Sequence, residues 1–555
     1  MCQHFVRDFR AWFASFLLIA GFAPALSASA ESNFALPAGI TLMGREDGIR
    51  SSIGVTRTGT SIPCLITPSD LDPFTAKHRI LVVAGVDGDP DTVRAALEAW
   101  GNAGDEDEIA LSLVPCVRPD ETGTGQPDPL AFPPGGPAYN DPDNDVAHYL
   151  WRWIGMHAPD EVMVVASARR PGAESLVAAL ASHPPCDTGT IPARIVAPRE
   201  LARAIEESVP GEVSPARREF RRRVGRSPIE VATELAAVYG RQLDAVHYIP
   251  ALAVAGRMRW GELSGETVAL QESEALGLPF LSGEKSSLPS RRINGSVVSG
   301  HLVFAELARR TGDAAWIDLV RIAADTGFDE GGRPRESMPF HNEMSDAVFM
   351  GCAILAEAGA LSGEQDYFAH CLRHLRFIEK LCLREDGLYR HSPLDETAWG
   401  RGNGFPALGM ALSLSALPEE SPEHDAFLAS YRAHLSALRE HQDPTGAWHQ
   451  VIDHEESYRE FTCTCMITFA IVRGMRRGWL DREEWQPVVD RAWTAIQSRI
   501  GPGGSLVDVC TGTGKQRSLR DYFDRTAILG RDDRGGAMAL LVSTELAYWE
   551  RERNP

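Results

Sequence analysis

Between residues 249 and 534 the chain repeats itself. Stretches rich in small and apolar residues begin near Ile249, Asn294, Asp346, Asn403, Glu460 and Arg534. The steps from Asn294 to Asp346, from Asp346 to Asn403 and from Asn403 to Glu460 are 52, 57 and 57 residues. A near-constant period of this length marks a repeat architecture, in which each unit must stack on its neighbours to bury an apolar face. Each unit holds two helical patterns. The second of each pair is polar on one side, as in 364–381 and 423–441, the mark of a helix with one wet face. The first has no wet side, and Ala353, Ala356, Ala358, Gly402, Gly404 and Gly409 supply small side chains where helices crowd. Turns at Asp386-Gly387 and Thr445-Gly446 close the units, and Gly501–Gly504 repeats their chemistry. Six helical hairpins with one buried set can close into a toroid, so an (α/α)6 barrel is expected over 229–555. An open solenoid is the alternative, and six units favour closure.

Residues 31–213 read differently. Short apolar runs at Cys64–Ile66, Arg79–Ala84, Ile109–Val117 and Val162–Ala166 alternate with helical patterns such as Thr92–Trp100. Strands alternating with helices predict a smaller α/β domain with a partly parallel sheet. The stretch 120–145 is rich in Pro, Gly, Asp and Asn and reads as a long loop. Residues 214–228 carry six arginines and read as a basic, solvated linker at the domain boundary.

Arg7 and Arg10, the apolar run Ala11–Ala20 and the small residues Ala28, Ser29 and Ala30 have the three-part layout of a secretory signal peptide over 1–30. The protein is therefore expected to be exported, to the periplasm or beyond, with no membrane span after cleavage. Fifty-five Lys and Arg against 76 Asp and Glu give a net charge of −21, which argues against a nucleic-acid partner. The cysteines beyond Cys2 are scattered and odd in number, so no disulfide framework is expected. Cys463 and Cys465 read as small residues in a buried helix rather than a metal pair.

If the toroid closes, the starts of its inner helices meet at one end, and polar residues there line a common funnel. Asn294, Asp346, Arg401 with Asn403, and Glu460 occupy those starts; His391, Trp399 and Trp448 lie just before them. Acid, imidazole, guanidinium and aromatic rings suit a sugar-acid ligand. Rings stack on sugar faces, a guanidinium pairs a carboxylate, and a carboxyl group moves a proton. The plainer reading of Asp346 and Asn403 is helix capping.

These residues resemble glycoside hydrolase families 88 and 105, the unsaturated glucuronyl and rhamnogalacturonyl hydrolases. The resemblance is carried by D-x-x-F-M-G at Asp346–Gly351, G-L-Y-R-H at Gly387–His391 and W-G-R-G-N-G-F at Trp399–Phe405. Thr445–Gln450, Glu460 and Gly535–Ala537 add to it. It implies an (α/α)6 barrel that removes a 4,5-unsaturated uronic acid from the non-reducing end of lyase-generated oligosaccharides, without a cofactor. Such enzymes hydrate the C4=C5 enol ether, and the resulting hemiketal opens. The resemblance assigns Asp346 as general acid/base and His391 as a catalytic-site histidine. Arg401, within W-G-R-G-N-G, is the implied substrate-binding residue; its ion pair with the uronate carboxylate is our own inference from charge, with Arg291 or Arg292 as a weaker second cation, and Asn294, Trp399, Asn403, Phe405 and Trp448 complete the expected substrate-binding set. Two departures stand out: Phe405 where many members have Trp, and Asn294 where several have a second aspartate.

The N-terminal region has a fainter resemblance to zinc carboxypeptidases and related deacylases, in Arg79–Pro90 and Val114–Asp120. Asp87 stands in place of the family's histidine and Pro90 in place of its glutamate, so no catalytic zinc is expected. A glycan-binding protein on the same scaffold, a different (α/α)6 enzyme such as an epimerase using paired histidines, and a live metallopeptidase are the competing functions. The residue pair Asp346 and His391, the lack of a second repeat-equivalent histidine, and the altered zinc string oppose them in turn.

Overall fold

The inner helices of the repeat form a ring in the computed structural model. It describes residues 48–553 apart from 104–107, 124–126, 137–138, 140, 142–143, 168–169, 209–210, 290 and 292; the targeting segment 1–30 and Arg292 lie outside that set. The first inner helix is Tyr248–Ser264. The second runs in two pieces, Gly295–Gly300 and Leu302–Thr311. The third is Ala353–Ser362, preceded by a π-helical turn at Val348–Cys352, and the rest are Gly400–Ala416, Phe461–Arg476 and Asp533–Arg553. Each packs on the next, and Asp533–Arg553 returns to Tyr248–Ser264. The ring is therefore closed, as the repeat predicts.

The outer helices are Thr267–Leu281, Ala315–Ala324, Gln365–Cys382, Pro422–Arg439 and Arg482–Ser498. The sixth outer position goes to Pro228–Ala236, which packs on the C-terminal helix and so joins the two ends of the domain. Inner and outer helices differ in pattern for a physical reason. Gln365–Cys382 buries one stripe, whereas nearly every residue of Gly400–Ala416 is buried. Small residues make that crowding possible: a Cβ on Gly409 would lie 2.5 Å from the Phe349 backbone.

The N-terminal region is a six-stranded mixed sheet in the order β1-β2-β4-β3-β5-β6. The strands are β1 (Ile49–Val55), β2 (Ser61–Ile66), β3 (His78–Val83), β4 (Ile109–Val114), β5 (Glu161–Val165) and β6 (Ala193–Val196); outside this sheet, β7 (Trp448–His449) pairs antiparallel with β8 (Arg459–Glu460) in the helical region. β1, β2 and β4 pair antiparallel, while β4, β3, β5 and β6 run parallel. The four apolar runs of the sequence are β2 to β5. β1 and β6 carried too little apolar signal, since β1 is interrupted by serines and β6 is a short edge strand.

The basic stretch is not a solvated linker. Pro215–Val224 is a helix, and Arg217, Arg223 and Arg226 are buried. Arg217 pairs with Asp160 of the sheet domain. Arg223 donates to Ser498 O, and Arg226 donates to Gln497 O and Ile500 O of the helical domain. Sheet and helices also share apolar core: Trp399, Val451, Tyr458, Tyr522 and Phe523 belong to the same buried cluster as the strands. All nine described cysteines are buried free thiols, with Cys463 and Cys465 inside the fifth inner helix. No helix among the described residues is long and apolar enough to cross a membrane.

Candidate active site

Asp346 sits just before the π turn that opens the third inner helix. π turns are rare and recur at functional sites because the extra residue re-aims what surrounds it. The turn has no side-chain cap. Asp346 serves it through its backbone carbonyl, which accepts from the N–H groups of Phe349 and Met350. The carboxyl group is therefore not used for capping. It is buried, and its Oδ1 has no hydrogen-bond partner among the described residues. Burial pushes its pKa up from 3.8 to about 7, against the opposing pull of the nearby Arg401 cation.

His391 faces this carboxyl group, with Nε2 3.5 Å from Asp346 Oδ1, longer than an ordinary hydrogen bond. Its Nδ1 is 2.9 Å from the Tyr522 hydroxyl. Burial, helped by Arg401 and His341, lowers its pKa to about 3. At neutral pH the imidazole is thus uncharged beside a carboxyl group that is near half-protonated. Trp399 lies against the imidazole at 4.4 Å between ring centroids, and the Arg401 guanidinium lies over the indole at 4.8 Å.

Arg401 donates to the backbone carbonyls of Cys510 and Thr511. No carboxylate lies within ion-pair distance of it among the described residues, and Glu460 acts on its charge only from farther off. Ser345 Oγ, Asp346 Oδ1, His391 Nε2, Trp399 Nε1 and Arg401 Nε are all buried without partners among those residues. They belong to one neighbourhood: a Cβ on Gly402 would meet Ser345 Oγ at 3.0 Å and the Trp399 ring at 3.2 Å. Unspent buried polar atoms are costly, and several converging on one spot mark a place kept for a polar ligand.

The other expected residues divide. Asn294 caps Gly295–Gly300, its Oδ1 accepting the Val297 N–H at 3.1 Å. That helix start abuts His341 and Met350, close to the turn of Asp346. Asn403 is spent on the protein itself. Its Oδ1 accepts the Tyr389 N–H, and its Nδ2 donates to Tyr389 O and Trp399 O, which fixes the two segments that carry His391 and Trp399. Trp448 is fully buried and donates its indole N–H to Leu438 O. Phe405 is buried among Phe349 and Tyr248, so it is a packing ring rather than an open stacking face. Glu460 caps the fifth inner helix and also accepts the Cys510 N–H. Arg291 is exposed.

Sequence reasoning missed Ser345 and Tyr522, and also Tyr248 and Tyr458, which lie close enough to Arg401 to act on its charge. Tyr248 starts the first inner helix, and the repeat phase pointed to its neighbour Ile249. Tyr522 belongs to an insertion between the fifth and sixth inner helices, where no period can place it.

In the sheet domain Asp87 has a local task. Its carboxylate accepts from the N–H groups of Gly172 and Ala173, at the start of helix Pro171–Ser182, where a negative charge meets the helix dipole. No group of three His, Cys, Asp or Glu side chains placed to hold a metal occurs among the described residues.

The family model for Glycosyl Hydrolase Family 88 matches residues 231–549. The unsaturated rhamnogalacturonyl hydrolase YesR of Bacillus subtilis is 26% identical over 258 residues, which are 43% of this chain and 72% of that protein. An unsaturated 3S-rhamnoglycuronyl hydrolase of an Alteromonas species is 30% identical over 155 residues, 28% of this chain and 36% of that protein. A family 105 glycoside hydrolase of C. acetobutylicum, 20% identical, superposes with a TM-score of 0.51 over 58% of this chain and 99% of its own, a likeness of fold. The family model spans more than half of the chain, and the protein is accordingly a glycoside hydrolase of family 88.

Proposed function

We propose that this enzyme removes a 4,5-unsaturated uronic acid from the non-reducing end of lyase-generated oligosaccharides by hydrating the C4=C5 bond. The observation that carries the reading is Asp346: a buried carboxyl group with a pKa near 7 and an unspent oxygen, beside a neutral imidazole. A group poised near the working pH can both give and take a proton. In this reading Asp346 protonates C4 while water adds to C5, and the carboxylate takes the proton that the water loses. The hemiketal formed at C5 then opens, and the saccharide at C1 leaves. His391 holds the water or a sugar hydroxyl through Nε2, its ring fixed by Tyr522.

The uronate carboxylate is placed toward Arg401, whose charge no protein carboxylate meets among the described residues. The relatives named above act on unsaturated rhamnogalacturonyl and 3S-rhamnoglycuronyl substrates by their names, which favours a rhamnose-linked uronate here. Export, through the segment at 1–30, would put the enzyme where extracellular lyases release such saccharides.

The test is turnover of a panel of lyase products with different sugars after the uronate, followed by the loss of enol-ether absorbance. Rhamnose-linked members are expected to react fastest. A panel left untouched by folded enzyme would refute the reading.

A further inference from the structure

Arg401 is held from outside the repeat. Its two outer guanidinium nitrogens rest on the carbonyls of Cys510 and Thr511. Cys510 ends β9 (Leu506–Cys510) and Thr511 follows it; β9 pairs with β10 (Ala527–Gly530) in the insertion before the last inner helix. The β9–β10 register slips there. Val509 faces Ile528 and Val507 faces Leu529, which leaves Asp508 as the extra residue of a bulge. Asp508 has φ +62°, a left-handed conformation that a non-glycine residue keeps only when its surroundings enforce it.

Those surroundings come from the sheet domain. Asp508 Oδ1 accepts from Arg152 Nη1 at 2.5 Å and from the Tyr139 hydroxyl at 3.2 Å. Arg152 belongs to helix Asp145–His157, and its guanidinium lies 4.7 Å over the Tyr139 ring. Tyr139 in turn stacks on Tyr458 at 4.9 Å. Arg152 and Asp508 side chains are each only 5% exposed, so water does not loosen the pair. A continuous path thus leads from Arg152 through Asp508 and two residues of β9 to the carbonyls that aim Arg401.

We propose that Arg152 and Asp508 are positioning residues for Arg401, so that the sheet domain sets the affinity of the barrel's site for the uronate carboxylate. The proposal rests on the reading of Arg401 given above. It assigns the N-terminal domain a part in substrate binding although none of its residues need touch substrate. The bulge and the ion pair act on the direction of the carbonyl pair, and a bidentate cation is sensitive to direction as well as distance.

Asp508→Asn removes the charge while suiting the left-handed backbone, which Asn tolerates. It is expected to raise KM for an unsaturated disaccharide about tenfold, with kcat changed less than about threefold, and to have little further effect in an Arg401→Ala background. A KM change of equal size with and without Arg401 would overturn the proposal, since it would show a merely structural role. Unchanged KM would do the same. If the lone Arg152 charge prevents folding, the pair Arg152→Gln with Asp508→Asn removes both members of the ion pair, with Arg499 still held on Ala495 O beside them, and takes its place in the same cycle. Wild-type turnover tests the site reading separately. The crystal structure of the folded variant needs no substrate: Arg401 displaced from at least one carbonyl supports the proposal, and Arg401 still on both overturns it.

Discussion

At Asp346 burial and charge pull in opposite directions. Burial wins and moves the pKa from 3.8 to about 7. Because the folded value lies above the unfolded one, the folded chain holds more protons between about pH 4 and 7. The stability this group contributes is full below that window and is lost as the pH rises through it. Asp346→Asn cannot ionise, so its melting temperature should gain on the wild type across the window and level off above it. A flat difference would mean that the carboxyl group is not perturbed. The same variant is expected to lose about 10²–10⁴-fold in turnover, the usual worth of a positioned acid–base group. Wild-type activity should fall above pH 7 as the acid form disappears. Arg401→Lys tests the neighbouring charge. Lysine keeps the cation but cannot hold two carbonyls in one plane, and KM should rise about tenfold, as expected for roughly 1.4 kcal/mol of lost interaction. Unchanged KM and kcat would remove Arg401 from the site.

Glu460 shows what a single side chain does for an element. Its Oε1 accepts from Thr462 N, Thr462 Oγ1 and Cys510 N, and its Oε2 accepts from Cys463 N, all inside the core. It closes the start of the fifth inner helix and ties β9 to it. Glu460→Ala would leave those buried donors unmet, at a cost of at least about 2 kcal/mol. Denaturant unfolding reads this directly, and a loss below about 0.5 kcal/mol would show that water replaces the carboxylate. The helix starts were legible because a buried repeat writes its period into small and apolar residues, and Asp346, His391, Trp399 and Arg401 came with them. What the motifs could not convey is how far a polar residue is already spent. Asn403 and Trp448 satisfy backbone carbonyls, and that is a matter of tertiary contact. Tyr522 and the carbonyls under Arg401 come from an insertion with no period. The arginines of 214–228 looked solvated because composition cannot tell a buried ion pair from an exposed charge.

Across the whole molecule, two domains of unlike texture share one core at the end of the barrel that holds the site. Trp399, Tyr458 and Tyr522 pack with residues of the sheet domain, and Arg217 and Arg223 bind the two parts together. A chain cut to 229–555 would expose those aromatics and strand Asp508 without Arg152. It is expected to be insoluble or to melt far below the full protein, by calorimetry or by its solubility on expression. A stable fragment with full-length kcat/KM would show that the sheet domain is a passenger. What decides the mechanism is which bond water attacks. It is tested most directly by running the reaction on an unsaturated disaccharide in heavy water and reading the released uronate by NMR. Hydration through Asp346 should place one deuterium at C4 and abolish the vinyl signal, with folded Asp346→Asn forming the same product at least about 10²-fold more slowly. Release of a uronate that keeps its C4=C5 bond and carries no deuterium at C4 would mean attack at the anomeric carbon, and would contradict the mechanism.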